Sequence, residues 1–435
     1  MNRRFFNIIT ILLMVSVTLS WGMVTNTNQS AEYIRLLNRN ASTDLDAALF
    51  NPAGLTKLED GIHLYLSNQT IWQTREIQAT FPTYNSDTFT GKTFVPAFPN
   101  TYFAYKKGKF ALSAGFMPIG GGGSADFPDG LPTFDYQLAK LVGLPAKLID
   151  AELEPYGEIT GYSVDAGFVG SSIYFACQGN IAYALNDVVS VAFGFRGIYA
   201  LNTYVGALEN AVLNAENGDI AGVIPDMEVD SERTGTAYTA IVGMNIALVE
   251  GMNIGFRYEH IARLQVEAST KKDDTILLGE PGMFPDGETY NEDIPAQIGA
   301  GASYQLTPSL KAEIGFNYFM NTQCDWDGDE EKVTDDFNTG AGIEYALSEV
   351  LTVSAGYLYS TTGAKDEYQS DMDYSLASQT IGGGLKYALN PKTALSLGLS
   401  NTFYKDGQND DVGTNFEEKY RKTAFVVALG IQYMF

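Results

Sequence analysis

Along most of this chain, large apolar residues recur at every second position, set between smaller or more polar ones. The final run shows the pattern: Phe425, Val427, Leu429, Ile431, Tyr433 and Phe435 alternate with Ala424, Val426, Ala428, Gly430, Gln432 and Met434. A period of two sends the two sets to opposite faces of a sheet. Read this way, the chain predicts strands at 61–79, 93–106, 109–118, 171–186, 188–206, 233–249, 252–270 and 292–307, then at 310–324, 335–348, 350–363, 377–390, 392–406 and 419–435. That is about fourteen strands, generally long enough to supply the roughly 9 to 11 residues that a strand needs to cross a bilayer.

Alternate connections are short: Lys107-Gly108, Asn186-Asp187, Glu250-Gly251, Pro308-Ser309, Ser348-Glu349 and Asn390-Pro391. Short turns at one end and long loops at the other mark a transmembrane barrel, with the short set periplasmic, and an even strand count lets it close antiparallel. Two long loops carry another period. Phe134, Leu138, Leu141, Val142, Leu148 and Ile149 recur at helical spacing, interrupted by Pro145, and Leu208, Ala211, Val212 and Ala215 do so more weakly. Such amphipathic pieces pack against each other as a lid; the functional alternative is a greasy groove at the extracellular mouth, where an apolar ligand first adsorbs.

Composition sharpens this picture. Arg3 and Arg4 precede an apolar run from Phe5 to Leu19, with small residues at Thr18, Ser20 and Gly22, so residues 1–22 read as a secretory signal peptide. No later run is long and apolar enough for a membrane helix, yet the chain holds 25 Phe, 26 Tyr and 44 Gly. Only a closed barrel spans a bilayer without helices, because backbone groups cannot be left unpaired in hydrocarbon. Tyr and Phe suit the interfacial girdles of such a barrel.

The net charge of −25 argues against nucleic acid as a partner. Many acids fall in proposed loops, as in Asp325 to Glu331 and Asp406 to Glu418. Asp325, Asp327 and Asp329 suggest a calcium loop, but Gly328 is misplaced for an EF-hand, so a solvated acidic turn is expected and no metal. Cys177 and Cys324 fall on non-adjacent strands and are expected as free thiols. His63 and His260 belong to no nucleophile–base arrangement, and no G-x-S-x-G is present, so neither catalysis nor a cofactor is expected. Strand parity points Arg196, Arg257, Arg263, Glu259, Lys311, Glu313, Glu344 and Lys386 into the lumen. Arg196, Arg257, Arg263 and Lys386 are candidates to pair a ligand carboxylate, which needs donors once it leaves water. The alternative is that the arginines pair with Glu259 and Glu344 simply to fill the lumen.

One segment ahead of the first strand carries a motif, Asn51-Pro52-Ala53-Gly54-Leu55. It resembles the N-terminal hatch of the FadL/TodX-type outer-membrane transport family for long-chain fatty acids and hydrocarbons. Further likeness lies in Pro99-Asn100-x-x-Phe103, in Gly115 to Gly123, in Arg257-Tyr258-x-His260 and in Asp293 to Gly301. The ending Gly430-x-x-Tyr433-x-Phe435 is similar to the signal read by the barrel assembly machinery, although Ala428 stands where a polar residue is expected. The resemblance implies a signal peptide (1–22), a hatch (23–60) plugging the lumen and a monomeric antiparallel β-barrel (61–435) in the bacterial outer membrane, in contact with its lipid. It also implies that a hydrophobic small molecule is caught by the outer loops, held above the hatch and released sideways where the third strand kinks. Pro118, Gly120 and Gly121 occupy that place, since proline removes a ladder donor and glycine permits a bend; the plain alternative is that the strand ends there. The function implied is passive uptake of hydrophobic molecules, with long-chain fatty acids ahead of aromatic hydrocarbons. A structural or adhesive barrel and a diffusion porin are the competitors, neither of which needs a hatch.

Overall fold

A computed structural model describes residues 30–80, 86–141, 159–215, 220–278, 282–410 and 417–435. The signal-peptide reading and the helical spacing beyond Leu141 lie outside the described residues. The wall consists of β1 (Gly61–Ala79), β2 (Thr88–Lys107), β3 (Phe110–Phe127), β4 (Ile159–Ala184), β5 (Val189–Ala215) and β6 (Met227–Ile246). It continues through β7 (Met252–Glu259 and Gln265–Asp273), β8 (Thr289–Asn291 and Ala296–Thr307), β9 (Leu310–Met320) and β10 (Asp336–Ala346). It ends with β11 (Leu351–Ser360), β12 (Ser378–Asn390), β13 (Thr393–Tyr404 and Gly407–Asn409) and β14 (Glu418–Met434); Ile220–Val223 is a spur paired to β5. Each strand pairs antiparallel with the next, and β14 returns to β1 from His63↔Met434 to Ala79↔Glu418, closing a barrel of 14 strands. Closure leaves no edge strand, as a bilayer requires.

The period-two pattern explains the two faces. Large apolar side chains stand outward and unpacked by protein, Phe193 at 58%, Ile314 at 61% and Leu429 at 60% exposure. In water such a continuous belt would be a liability, whereas in lipid it is the solvated state. Inside, the complementary positions are small or polar.

The wall is uneven in height. β4 and β5 have 26 and 27 residues, against 10 in β11, so one side rises well beyond the hydrocarbon. Two expectations fail there. Residues 208–215 form part of β5, not a helical piece: a one-residue register shift against β4 lies between Asp165↔Glu209 and Ser163↔Val212, with Asn210 left-handed at φ 54°. That bulge moves the buried positions from Leu208 to Ala211, a spacing of three that imitates a helix. Strand 4 likewise begins at Ile159, well before the expected 171.

Two helices precede the barrel, α1 (Ala31–Leu36) and α2 (Ala47–Phe50), followed by a 3-10 turn over Pro52–Lys57. Apart from the partly buried Phe50 and the exposed Lys57, their residues are buried within the lumen. The Ser30 side chain caps α1, accepting from Tyr33 N at 3.0 Å. A third helix, α3 (Pro132–Leu141), lies in the long loop after β3.

Candidate functional site

The plug rests on a belt of glycines. Gly255, Gly301, Gly315, Gly340, Gly342, Gly356, Gly382, Gly384 and Gly398 run from β7 to β13, joined by ladder pairs such as Gly301↔Gly315, Gly356↔Gly382 and Gly384↔Gly398. A Cβ on Gly382 would lie 2.5 Å from the Ile34 carbonyl oxygen, and one on Gly342 would lie 2.6 Å from that of Leu36. The missing side chains are therefore the space that the plug backbone occupies. No single glycine in the sequence announces this, because its partner is some hundreds of residues away.

Ion pairs tie the plug to the same arc. Arg35 contacts Glu32 at 2.5 Å and Glu344 of β10 at 2.6 Å; Lys386 of β12 lies 3.7 Å from Glu32 and 3.8 Å from Asp44. Arg39 meets Asp44 at 2.6 Å and Asp46 at 2.8 Å. Fully buried charges are tolerable only with such partners. Lys386, a sequence candidate for ligand, is thus placed against the plug.

The Asn-Pro-Ala motif turns the chain at the foot of the plug. Asn51 Nδ2 donates to the Ser42 carbonyl and to Asn245 Oδ1 of β6, both at 2.9 Å. Pro52 opens the 3-10 turn, where its missing N–H costs nothing. Ala53 and Leu55 are fully buried, and a Cβ on Gly54 would collide with the Ser42 carbonyl.

Above the plug lies a cavity of about 300 Å³. Tyr33, Leu37, Asn40, Leu49 and Phe50 contribute the plug's share of its lining. Arg196 of β5 and Arg257 of β7 also line it, sharing one acid, Glu259. Arg196 is ion-paired with Glu259 and donates to Gln178 Oε1 from Nε and Nη2 at 2.9 and 2.7 Å. Arg257 donates to the Leu49 carbonyl at 2.9 Å and to Gln297 Oε1 at 2.8 Å, and its Nη1 lies 3.5 Å from Glu259. Its Nε–H has no hydrogen-bond partner, although the residue is only 8% exposed. Two guanidiniums against one carboxylate leave a positive balance at the cavity wall.

Arg263 is elsewhere. Parity places it inside, but β7 breaks between Glu259 and Gln265, and the pairing with β6 shifts by one residue, from Ile241↔Glu259 to Gly235↔Val266. One residue of slip exchanges the faces. Its neighbours Ala262 and Leu264 pack inward, whereas the Arg263 side chain is 62% exposed and paired with Asp293.

The wall beside the cavity is incomplete. Between Lys92↔Asp126 and Thr101↔Phe116, no ladder pair joins β2 to β3 among the described residues. Pro96, Pro99 and Pro118 lie in this interval, each without the N–H that a ladder needs. On the far side, β3 shifts register against β4 twice, between Pro118 and Gly120 and between Gly121 and Gly123, then runs on to Phe127. Ile119, the extra residue of the first shift, and Phe98 of β2 both line the cavity.

Over the cavity sits a second apolar cluster. Phe134 (4% exposed) and Leu138 (0%) of α3 pack in it with Phe168, Leu208, Phe284 and Tyr374. Thr133 N and Oγ1 donate to Asp371, and Tyr162 donates to Asp135 Oδ1 at 2.9 Å. Leu141 closes the helix; its side chain lies outside the described set. Burial of Asp135 in this lid raises its carboxyl to about 7.

Sequence reasoning missed Arg233 of β6, which lies between the lid and the cavity, 3.7 Å from the Tyr290 ring centroid and 5.3 Å from that of Tyr204. Its inward parity was the available signal. Cys177 and Cys324 are both free.

No protein-family model and no curated protein matches the sequence. Solved structures do. A Pseudomonas aeruginosa FadL homologue superposes with a TM-score of 0.68 at 14% identity, covering 95% of this chain and 100% of that one. The chain has the fold of that FadL homologue. Two structures described as toluene transporters share it: TodX of Pseudomonas putida (TM-score 0.63, 10% identity, 95% and 100% covered) and TbuX of Ralstonia pickettii (0.59, 15%, 96% and 99%). A FadL-like fold accounts for the strand count, for closure and for an N-terminal segment lodged in the lumen.

Proposed function

We propose that this protein is an outer-membrane channel for passive uptake of hydrophobic molecules, in which ligand passes the lid, occupies the cavity and leaves sideways between β2 and β3. The observation that carries this reading is the coincidence of cavity and broken wall: Phe98 and Ile119 lie in the unpaired interval and line the cavity at once. The plug closes the axial route with a buried ionic network, which leaves the wall as the softer path. No reacting group is assigned a role, because the proposed process breaks no bond.

Long-chain fatty acids are the favoured cargo. Arg196 and Arg257 share one carboxylate, and the positive charge left over suits a second carboxylate arriving in a low-dielectric site. Aromatic hydrocarbons are the second reading, favoured by the toluene transporters that share the fold. Expression in bacteria lacking their own uptake route, with radiolabelled oleate and toluene supplied at limiting concentration, separates them. Faster oleate uptake supports the acid reading, faster toluene uptake the hydrocarbon reading, and no gain for either rejects the channel.

A further inference from the structure

The cavity has a second polar pole. Lys422 of β14 is 5% exposed and lines it, with Nζ 5.0 Å from the ring centroid of Tyr404. Beside it Thr380 of β12 and Thr402 of β13 face the cavity with hydroxyl oxygens 2.9 Å apart.

Strand order fixes where this pole lies. Arg196 and Arg257 stand on β5 and β7, on either side of β6, and β13 is the strand diametrically opposite β6 in a closed barrel of 14. With strands about 4.8 Å apart and tilted about 40°, such a barrel is roughly 28 Å across its backbone. Long basic side chains reaching inward from both walls shorten the gap to a distance that one extended alkyl chain can bridge. Between the poles, Leu37 and Phe50 of the plug and Phe98 and Ile119 of the wall supply the apolar lining.

Charge points the same way. Among the described lining residues three are cationic, Arg196, Arg257 and Lys422, and one is anionic, Asp336 on β10. With Glu259 counted behind the arginines, and Asp373 and Arg75 counted around Lys422, the balance is still one positive charge, and the cations stand on opposite walls. A ligand with one head and a bare tail would press that tail against an ammonium group and two hydroxyls.

We propose that the cavity is built for a long-chain acid polar at both ends, an α,ω-dicarboxylic acid, with one carboxylate at Arg196 and Arg257 and the other at Lys422. This rests on the uptake reading and specifies its ligand. The test uses the full chain reconstituted in lipid nanodiscs, with its folding checked by heat-modifiable migration, and measures binding of hexadecanedioate, 16-hydroxyhexadecanoate and hexadecanoate by calorimetry. The diacid is expected to bind about tenfold more tightly than the monoacid, with the hydroxy acid between them. Lys422→Met should bring the diacid down to the monoacid's affinity and leave the monoacid unchanged, while Lys422→Arg keeps the difference. Equal affinity for diacid and monoacid in the wild type, or equal loss of both in Lys422→Met, overturns the proposal. Folded protein that binds none of the three acids overturns the uptake of acids along with it.

Discussion

Arg257 is held by a plug carbonyl, a wall amide and half of a shared carboxylate, and it still has a donor left over. Charge-assisted hydrogen bonds are each worth about 1.5 to 3 kcal/mol, enough for a ligand carboxylate to repay its dehydration there. Replacing both arginines, Arg196→Met with Arg257→Met, is therefore expected to weaken fatty-acid binding about tenfold or more and to spare a neutral alkane of equal length. Equal loss for both ligands would mean that the arginines only hold the lumen together. The glycine belt makes a separate claim at this scale. Gly382→Val puts a side chain where the Ile34 carbonyl sits 2.5 Å away, so the plug should lift and ion conductance across a planar bilayer should rise. Gly167→Ala meets nothing within 4 Å and serves as the silent control. Conductance unchanged in Gly382→Val would show that the plug does not seat there.

The elements differed in how legible they were. Strands near the terminal aromatic, such as β14, follow from alternation because lipid on one side and lumen on the other impose opposite chemistries. Above the membrane both faces meet water or loops, and the contrast fades: β5 continues through Leu208 and Ala211, where a bulge at Asn210 mimics helical spacing. Arg196, and Arg257 ahead of the break in β7, were readable from parity, whereas Arg263 was lost to the one-residue slip at that break. The wall break needed tertiary information. Three prolines mark where donors are missing, but only pairing shows that they share one interval.

The lid element has its own pH dependence. Asp135 keeps its proton to about pH 7 in the closed lid because burial penalises its charge, while an opened lid releases it near the ordinary carboxylate value of 3.8. The open form binds fewer protons between those values, so closure is strongest in acid and weakens as the pH rises towards 7, by on the order of 4 kcal/mol. Hydrogen exchange over α3, corrected for intrinsic rates, should show more opening at pH 7.5 than at pH 5, and Asp135→Asn should abolish the difference. Identical opening at both values in the wild type would rule this out.

On the scale of the whole molecule, the proposed route combines a lipid-facing belt, a plug seated on glycines that shuts the axial branch, a cavity above it and the interrupted seam beside that cavity. The Phe435 amide donates to the Ile62 carbonyl at 2.9 Å, fastening the last strand to the first. The central claim is that ligand crosses the seam between β2 and β3. A Cβ placed on Gly123 lies 3.7 Å from the Val95 Cβ across that seam, within the span of a disulfide. The left-handed φ of 74° at Gly123 adds a strain of roughly 1 to 2 kcal/mol, small beside a covalent bond. The decisive measurement is uptake of radiolabelled oleate by cells carrying Val95→Cys with Gly123→Cys, before and after reduction. The account predicts slow uptake when oxidised, with ligand binding retained, and recovery on adding a reductant; uptake equally fast in the cross-linked protein would contradict it.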